Sequence, residues 1–341
     1  MFKIRFFSII LICSTFFMFV SCGDSKNDTA NDNEAADEKT TADNESPDID
    51  SVNLDKVIGG FAVKLNAPVE ETETTQAREG YTSVFGKIYN APTPQAIVWE
   101  AGTVSGDCTL YKPRVPFCET PCGGSAVCIE DDVCQDYPKS MSAGNVIVQG
   151  IKTSDDKTVF TMTPVSNNYQ SADTHPYPAF DEGDEIIFSA AGDTVKKFTI
   201  ASKGVAPLNL LNETLPIEDG VPLFLTWDKP SDQEISSIHV KMDISHHGGS
   251  KGKIECDTAD DGELELGADI VGELVDLGVA GFPTVVITRA AAGNYSSEYG
   301  IITLTVSSEV EKEVLINGLV SCNEDEDCPE NETCQDDLTC K

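Results

Sequence analysis

Positive charge is scarce: 23 Lys and Arg stand against 58 Asp and Glu in 341 residues, a formal net charge of −35 at pH 7. A chain this acidic repels phosphate backbones, which excludes nucleic acid as a partner. Long apolar runs are lacking too. The longest, Phe6–Val20, has about 15 residues, short of the roughly 20 that span a bilayer. No Gly-rich loop follows a strand and opens a helix, and no βαβ rhythm exists to hold one, so a phosphate-loop enzyme is excluded. The four His form neither H-E-x-x-H nor H-x-H, and a zinc hydrolase lacks its usual spacing. Apolar residues are not lacking: at 40%, they supply real cores and exclude wholesale disorder. The length suggests two or so domains.

Lys3 and Arg5 precede the Phe6–Val20 run as a short positive region, so residues 1–21 read as an export signal and not as a retained transmembrane helix. The segment ends Phe19-Val20-Ser21-Cys22-Gly23, which resembles a bacterial lipobox with Cys22 as the first mature residue. The resemblance implies a diacylglycerol on the Cys22 sulfur and a further acyl chain, such as palmitate, on its amine. Several buried chains anchor where one binds only marginally. Phe19 stands where that family usually has Leu. Gly23 and not Asp follows Cys22, which implies no inner-membrane retention and places the protein at the outer membrane, periplasmic or surface-facing. Residues 22–55 carry acids at Asp24, Asp28, Asp32, Glu34, Asp37, Glu38, Asp43, Glu45, Asp48, Asp50 and Asp55. Ile49 is the only large apolar residue from Gly23 to Ser51. This stretch is expected to be a disordered acidic tether.

From about Val57 short period-two runs follow one another between turn residues. Phe61, Val63 and Leu65 alternate with Ala62 and Lys64; Val84, Gly86 and Ile88 share one face, Phe85, Lys87 and Tyr89 the other. Further runs lie at 97–99, 146–148, 159–162, 186–188, 198–200, 223–227, 238–244, 285–287 and 301–306. Ala190-Ala191-Gly192-Asp193 reads as a hairpin turn. Ile270, Val271, Leu274 and Leu277 recur at helical spacing and predict a short helix over 268–277. The expected fold is all-β: two antiparallel β-sandwich-like units, one short helix, and small disulfide-stapled cysteine-rich segments. The first unit is set at 56–214, with a cysteine-rich segment at 108–134, and the second at 215–320. A boundary near 212–218 separates them, and a cysteine-rich acidic tail fills 321–341.

Of the twelve Cys, Cys13 leaves with the signal and Cys22 is the lipid site, so ten remain in an exported chain. Cys118, Cys122, Cys128 and Cys134 are spaced C-x3-C-x5-C-x5-C; Cys322, Cys328, Cys334 and Cys340 are spaced C-x5-C-x5-C-x5-C. Paired acids fill both final gaps, Asp131-Asp132 and Asp336-Asp337. This reads as one cystine motif used twice. Segments this short have almost no core and need cross-links. Structural zinc prefers C-x2-4-C pairs, so disulfides are the better reading. Interlocked first-to-third and second-to-fourth pairing is favoured: Cys118–Cys128, Cys122–Cys134, Cys322–Cys334 and Cys328–Cys340. Cys108 and Cys256 either bond across the two sandwiches or are buried apolar thiols, and the period shared with Ile254 favours burial for Cys256.

Other candidate chemistry is thin. Gly248-Gly249-Ser250-Lys251-Gly252 matches G-x-S-x-G after His246-His247, but a strand follows where a nucleophile elbow needs a helix; a flexible hairpin tip is expected. Adjacent strand residues point to opposite faces, which argues against a metal on His246 and His247. Asp257-Thr258-Ala259-Asp260-Asp261-Gly262 fails as an EF-hand, since Ala259 and Ala268 stand where ligands are required. An oxygen-rich calcium site of another kind, on Asp257, Asp260 and Asp261, stays open beside an acidic turn capped by Gly262. No other cofactor is expected. Tyr81, Tyr89, Trp99, Tyr169, Tyr177, Trp227, Tyr295 and Tyr299 are core positions or stacking platforms for sugars.

Pro116-Phe117-Cys118 through Cys134, Tyr137-Pro138, Gly183-Asp184, Ala190-Ala191-Gly192, Leu225-Thr226-Trp227 and Ile254-Glu255-Cys256 with Asp260-Asp261-Gly262 form a recurring set. With the lipobox, they resemble lipoproteins of myxobacteria and related bacteria over roughly residues 60 to 310. That family has no assigned activity, so the resemblance implies fold and location and nothing catalytic. The expected function is a non-enzymatic, lipid-anchored module at the cell surface whose partners are the membrane and a glycan or protein ligand. The rivals are a metal- or carboxylate-dependent hydrolase with an unmarked site, and a structural envelope protein without a specific soluble ligand.

Overall fold

The computed structural model describes residues 56–71 and 76–341. The signal, Cys22 and the acidic tether lie outside the described residues. In chain order, the strands are β1 (Val57–Asn66), β2 (Tyr81–Tyr89), β3 (Val98–Ser105), β4 (Cys108–Arg114), β5 (Ala126–Glu130), β6 (Val133–Asp136) and β7 (Ser140–Met141). Then come β8 (Val146–Gln149), β9 (Val159–Met162), β10 (Asn168–Gln170), β11 (Glu185–Ala190), β12 (Phe198–Lys203), β13 (Pro216–Ile217) and β14 (Leu223–Thr226). The chain closes with β15 (Ser237–Asp243), β16 (Lys253–Ala259), β17 (Glu263–Leu266), helix α1 (Ala268–Asp276), β18 (Thr284–Ser296), β19 (Ile301–Glu313) and β20 (Leu315–Ile316). The all-β class with one short helix is therefore the observed one, and α1 falls where the helical spacing placed it.

One ten-stranded sheet organises the molecule, in the order β10-β2-β1-β19-β18-β15-β16-β4-β3, with β7 beside β2. Its inner face is apolar at alternate positions, as period-two residues require. Phe61, Val63, Leu65, Val84 and Ile88 at one end pack under a second sheet, β12-β11-β8-β9, against Val146, Val148, Phe188 and Ile200. At the other end Leu110, Val240, Met242, Ile254 and Ile287 pack under α1 (Ile270, Val271, Leu274) and the pairs β14-β17 and β13-β20. The covering sheet comes so close at Gly293 that a Cβ there would collide with the Ala201 carbonyl.

The boundary expected near 212–218 is corrected by this arrangement. There are two cores, but they are not successive in sequence, and the described residues cluster as one unit. Strands β18 and β19 have 13 residues each and serve both: Val285 and Ile287 lie in one core, Ala291, Ile302 and Leu304 in the other. Strand β1 pairs in parallel with β19, some 240 residues away (Phe61 opposite Leu304), so the chain's two ends close one sheet. Cys108 and Leu110, assigned by position to the first unit, belong to the second core.

Where the two cores meet, the buried face turns polar. Arg289 and Ser308 stand opposite each other on β18 and β19, and both are buried. Ser308 Oγ accepts a hydrogen bond from Leu208 N at 2.9 Å. Arg289 reaches Asp260 and the carbonyls of Pro207 (3.0 Å) and Asp228 (2.6 Å), fixing the crossover segment between the cores.

All ten cysteines among the described residues pair. The interlocked pairings expected in both motifs are present: Cys118–Cys128, Cys122–Cys134, Cys322–Cys334 and Cys328–Cys340. In each motif the third and fourth cysteines face each other across a tight hairpin, Cys128 opposite Cys134 and Cys334 opposite Cys340. The residue four past the third cysteine takes the left-handed conformation in both, Asp132 (φ 60°) and Leu338 (φ 58°). The repeat is thus one of backbone as well as spacing. Cys108 and Cys256 also bond, but not across two sandwiches: they sit opposite each other on neighbouring strands β4 and β16 of one sheet, Cα atoms 4.0 Å apart and fully buried.

Candidate functional site

The outer face of the ten-stranded sheet is the candidate site. Strand alternation that sends apolar side chains inward sends the intervening ones outward, and no described element packs over them. Along β2 the outward row is Tyr81, Ser83, Phe85, Lys87 and Tyr89. Tyr81 is 41% and Phe85 45% exposed; single exposed apolar side chains are common, and what sets these two apart is that they share one strand face with Tyr89. Tyr81 and Tyr89 are eight residues apart, about 27 Å at roughly 3.4 Å per residue, with Phe85 midway. Cations stand over the end rings: Arg78 lies 5.6 Å from the Tyr81 centroid and Lys87 Nζ 5.3 Å from that of Tyr89. Exposed amides flank the row, with Gln170 opposite Phe85 and Asn168 opposite Lys87 on β10. Asn66 Nδ2 donates to Ser83 Oγ at 3.1 Å.

The middle of this face is small and polar: Ala62, Thr305 and Ala292 lie level with Phe85 across β1, β19 and β18. Charged pairs follow on β15 and β16. Toward the other edge of the sheet, six strands from β2 on β4 and seven on β3, Tyr111 and Trp99 form a second aromatic group. Lys253 Nζ fills it, 4.4 Å from the Trp99 centroid and 5.6 Å from that of Tyr111, and pairs with Glu255 at 2.6 Å. With its side chain only 12% exposed, Lys253 closes this group to a ligand.

His239 also lies on this face, with Nδ1 2.7 Å from Asp257 Oδ1. The Asp257 hydrogen bond raises the imidazole pKa above 6.5, outweighing the opposing effect of burial. A raised folded value favours the protonated form in the native state. The pair's stabilisation is therefore complete below pH 6.5 and fades as pH rises through the folded value. For an exposed pair it amounts to about 0.2–1 kcal/mol. The His239 ring should titrate above 6.5 by NMR, and Asp257→Asn should lower the midpoint; an unmoved midpoint would remove Asp257 as the cause.

The calcium reading is corrected, because the three acids do not converge. Asp260 is fully buried and its carboxylate accepts from Trp227 Nε1 (2.9 Å), Ser236 Oγ (2.7 Å) and Arg289 (Nε 2.6 Å, Nη2 2.9 Å). Those four donors use its lone pairs. Asp257 faces His239 instead, and Asp261 is exposed in the turn before Glu263. Among the described residues, the groupings with metal-ligand spacing are Cys118, Cys122, Cys128 and Cys322, Cys328, Cys340, whose sulfurs are already joined in disulfides.

The His246-His247 loop is likewise placed. These residues occupy a turn and not a strand, so their rings touch (centroids 4.0 Å apart) instead of diverging as expected. The hairpin tip they open is not loose: Ala280 N donates to Ile244 O and Phe282 N to His246 O. Among the described residues, a pocket of about 140 Å³ between Val195, Lys196, Tyr295 and Tyr299 is well below the ~300–1,000 Å³ of small-molecule sites. Among the described residues, no helix is long and apolar enough to cross a membrane.

The exposed aromatic row was legible in the sequence only in part. Tyr81, Tyr89 and Trp99 are among the stacking candidates, whereas for Phe85 the alternation gives only a face shared with Lys87 and Tyr89, opposite Val84 and Ile88, and no role. Its signal was the alternation itself, which put a bare Phe where a solvated residue belongs.

No family model matches the chain, and no curated protein matches it. Among solved structures, it is similar to chicken CNTN1 FN1-FN3 domains, at 8% identity over 69% of this chain and 78% of that one, with a TM-score of 0.19. A likeness at that level bears on neither fold nor function. Five disulfides, however, belong to a chain that matures in an oxidising compartment.

Proposed function

We propose that this is a lipid-anchored, non-enzymatic binding module of the cell envelope. It is tethered to the outer membrane through Cys22 and presents the outer face of its large sheet to a glycan or a protein. The observation that carries the binding reading is the outward Tyr81–Phe85–Tyr89 row, with Tyr81 and Phe85 exposed and Tyr89 half-buried, on a face over which no described strand or helix packs. The lipobox-like Phe19-Val20-Ser21-Cys22 supports the anchor, and the acidic tether gives reach. The resemblance to myxobacterial lipoproteins supports the same location.

Two measurements test it. Full-length chain expressed with an alkynyl fatty acid should carry the label, and Cys22→Ala should lose it and move to the soluble fraction; an unlabelled wild-type chain would overturn the anchor. The soluble Cys22→Ala chain, applied to glycan and protein arrays, should retain a ligand that shields Tyr81 and Tyr89, but not Tyr137, from hydroxyl-radical footprinting. Silence on both arrays would overturn the binding reading in favour of a structural role. Turnover of an ester or glycoside panel would overturn it in favour of a hydrolase.

A further inference from the structure

We infer that the β2 row, Tyr81, Phe85 and Tyr89 with Arg78 and Lys87, is a binding platform for an acidic polysaccharide, such as a polyuronate. This rests on the reading of the outer face as a ligand-binding surface and names its ligand class.

Three features of the row point to one chemistry. Its aromatic rings are spread along a single straight strand over about 27 Å, which suits an extended polymer of several rings and not a compact small molecule. Pyranose rings have apolar C–H faces that stack on aromatic faces and hydroxyls that take hydrogen bonds at their edges. The row offers both kinds of partner, with the exposed amide of Gln170 beside it, while Ser83 and the Asn168 Nδ2 already hydrogen-bond within the chain.

The third feature is charge. In a chain of net charge −35, the two cations at this row are not engaged by any carboxylate among the described residues. Lys64, on the neighbouring strand, differs: its Nζ is held by Glu309 at 2.7 Å. Arg78 and Lys87 instead stand over their tyrosines near either end of the row, leaving the Phe85 ring bare between them. A ligand with sugar rings between carboxylates matches that order of ring, cation and ring. Exposed charges beyond about 8 Å are largely screened at physiological ionic strength, which removes the distant acids but not Glu79, the exposed neighbour of Arg78, so Lys87 is the chief cation of the row. The Trp99–Tyr111 group is no equivalent, since Lys253 and Glu255 have already closed it.

Affinity electrophoresis of the full-length chain in detergent, in gels carrying polygalacturonate, dextran or poly-aspartate, tests this. Polygalacturonate should retard the wild type. Phe85→Ala, Lys87→Gln and Arg78→Gln should each weaken retention about tenfold, with Trp99→Ala unchanged and the Phe85→Ala melting midpoint within about 1 °C of wild type. Equal retardation by dextran would overturn the acidic class, and equal retardation by poly-aspartate would reduce the effect to ion exchange and overturn the platform. Wild-type retention indifferent to Phe85→Ala would also overturn it. No retention at all would overturn this inference alone if the arrays still return an outer-face ligand, and would fall together with the binding reading if they do not.

Discussion

Arg289→Ala is expected to cost about 3–5 kcal/mol of folding stability, the range for breaking a buried ion pair by removing one partner. Arg289 is 1% exposed and Asp260 fully buried, 2.6 Å apart at their nearest atoms, so the substitution strands a carboxylate where no water reaches it. It also frees the Pro207 and Asp228 carbonyls, which hold the crossover between the two cores. For a body of this size, the melting midpoint should fall by roughly 10 °C. The pair's net worth is a separate quantity. Replacing both residues by apolar ones, Arg289→Met with Asp260→Leu, removes the desolvation cost along with the attraction and should recover part of the loss. Trp227 Nε1 and Ser236 Oγ would then lack their acceptor, which sets the limit on that recovery. Chemical denaturation of the two singles and the double closes the cycle. A single-variant loss below 1 kcal/mol would show that the seam does not depend on this pair.

That network also shows where sequence reasoning stops. Alternation alone puts Phe61, Val63 and Leu65 on one face of their strand and Val84 and Ile88 on one face of theirs, because side-chain direction in a strand has period two whatever the strand pairs with, and those are the faces the core buries. Helix α1 was legible for the matching reason at period 3.6. Pairing partners are another matter: nothing local in Val57–Asn66 encodes that it lies beside Ile301–Glu313. The second half of β18, Ala290-Ala291-Ala292-Gly293, escaped notice because small residues have little strand preference of their own. Pairing with β19 and the close approach of β12 make it a strand, with β15 reaching only as far as Ala290. The acid density of Asp257–Gly262 makes Asp260 look like a metal ligand, and nothing local shows its partner, Arg289, 29 residues on. The one signal available was Arg289 itself, the cation in an inward row of Val285, Ile287 and Ala291.

Reducing the disulfides should melt the tail module, residues 322–340, while leaving the sheet folded. Within that segment the buried side chains are those of Cys322 and Thr339, so almost no apolar area opposes the entropy of ordering it. Each of its two bridges closes a loop with a sequence separation of 12, worth about 3 kcal/mol in the chain-entropy account. Contacts to the body are few: Gly281 N donates to Asp337 O at 2.7 Å, and Ser321 Oγ to Gly281 O at 2.6 Å. Without the bridges, that handful of hydrogen bonds, at about 0.5–1.5 kcal/mol each, does not offset roughly 1–2 kcal/mol of backbone entropy per residue. Hydrogen exchange should therefore show the Cys322 and Cys340 amides, bonded to Leu338 O and Val320 O, losing protection on reduction. Amides of β19 such as Leu304 should keep theirs. The same physics predicts loss of protection at Tyr137 N, which donates to Ser125 O beside the other cystine module. Cys108–Cys256, sealed inside the sheet, should be reduced last because neither sulfur is exposed to the reductant. Persistent protection of the tail amides with all four of its cysteines alkylated would mean that non-covalent packing, and not the staples, holds the module.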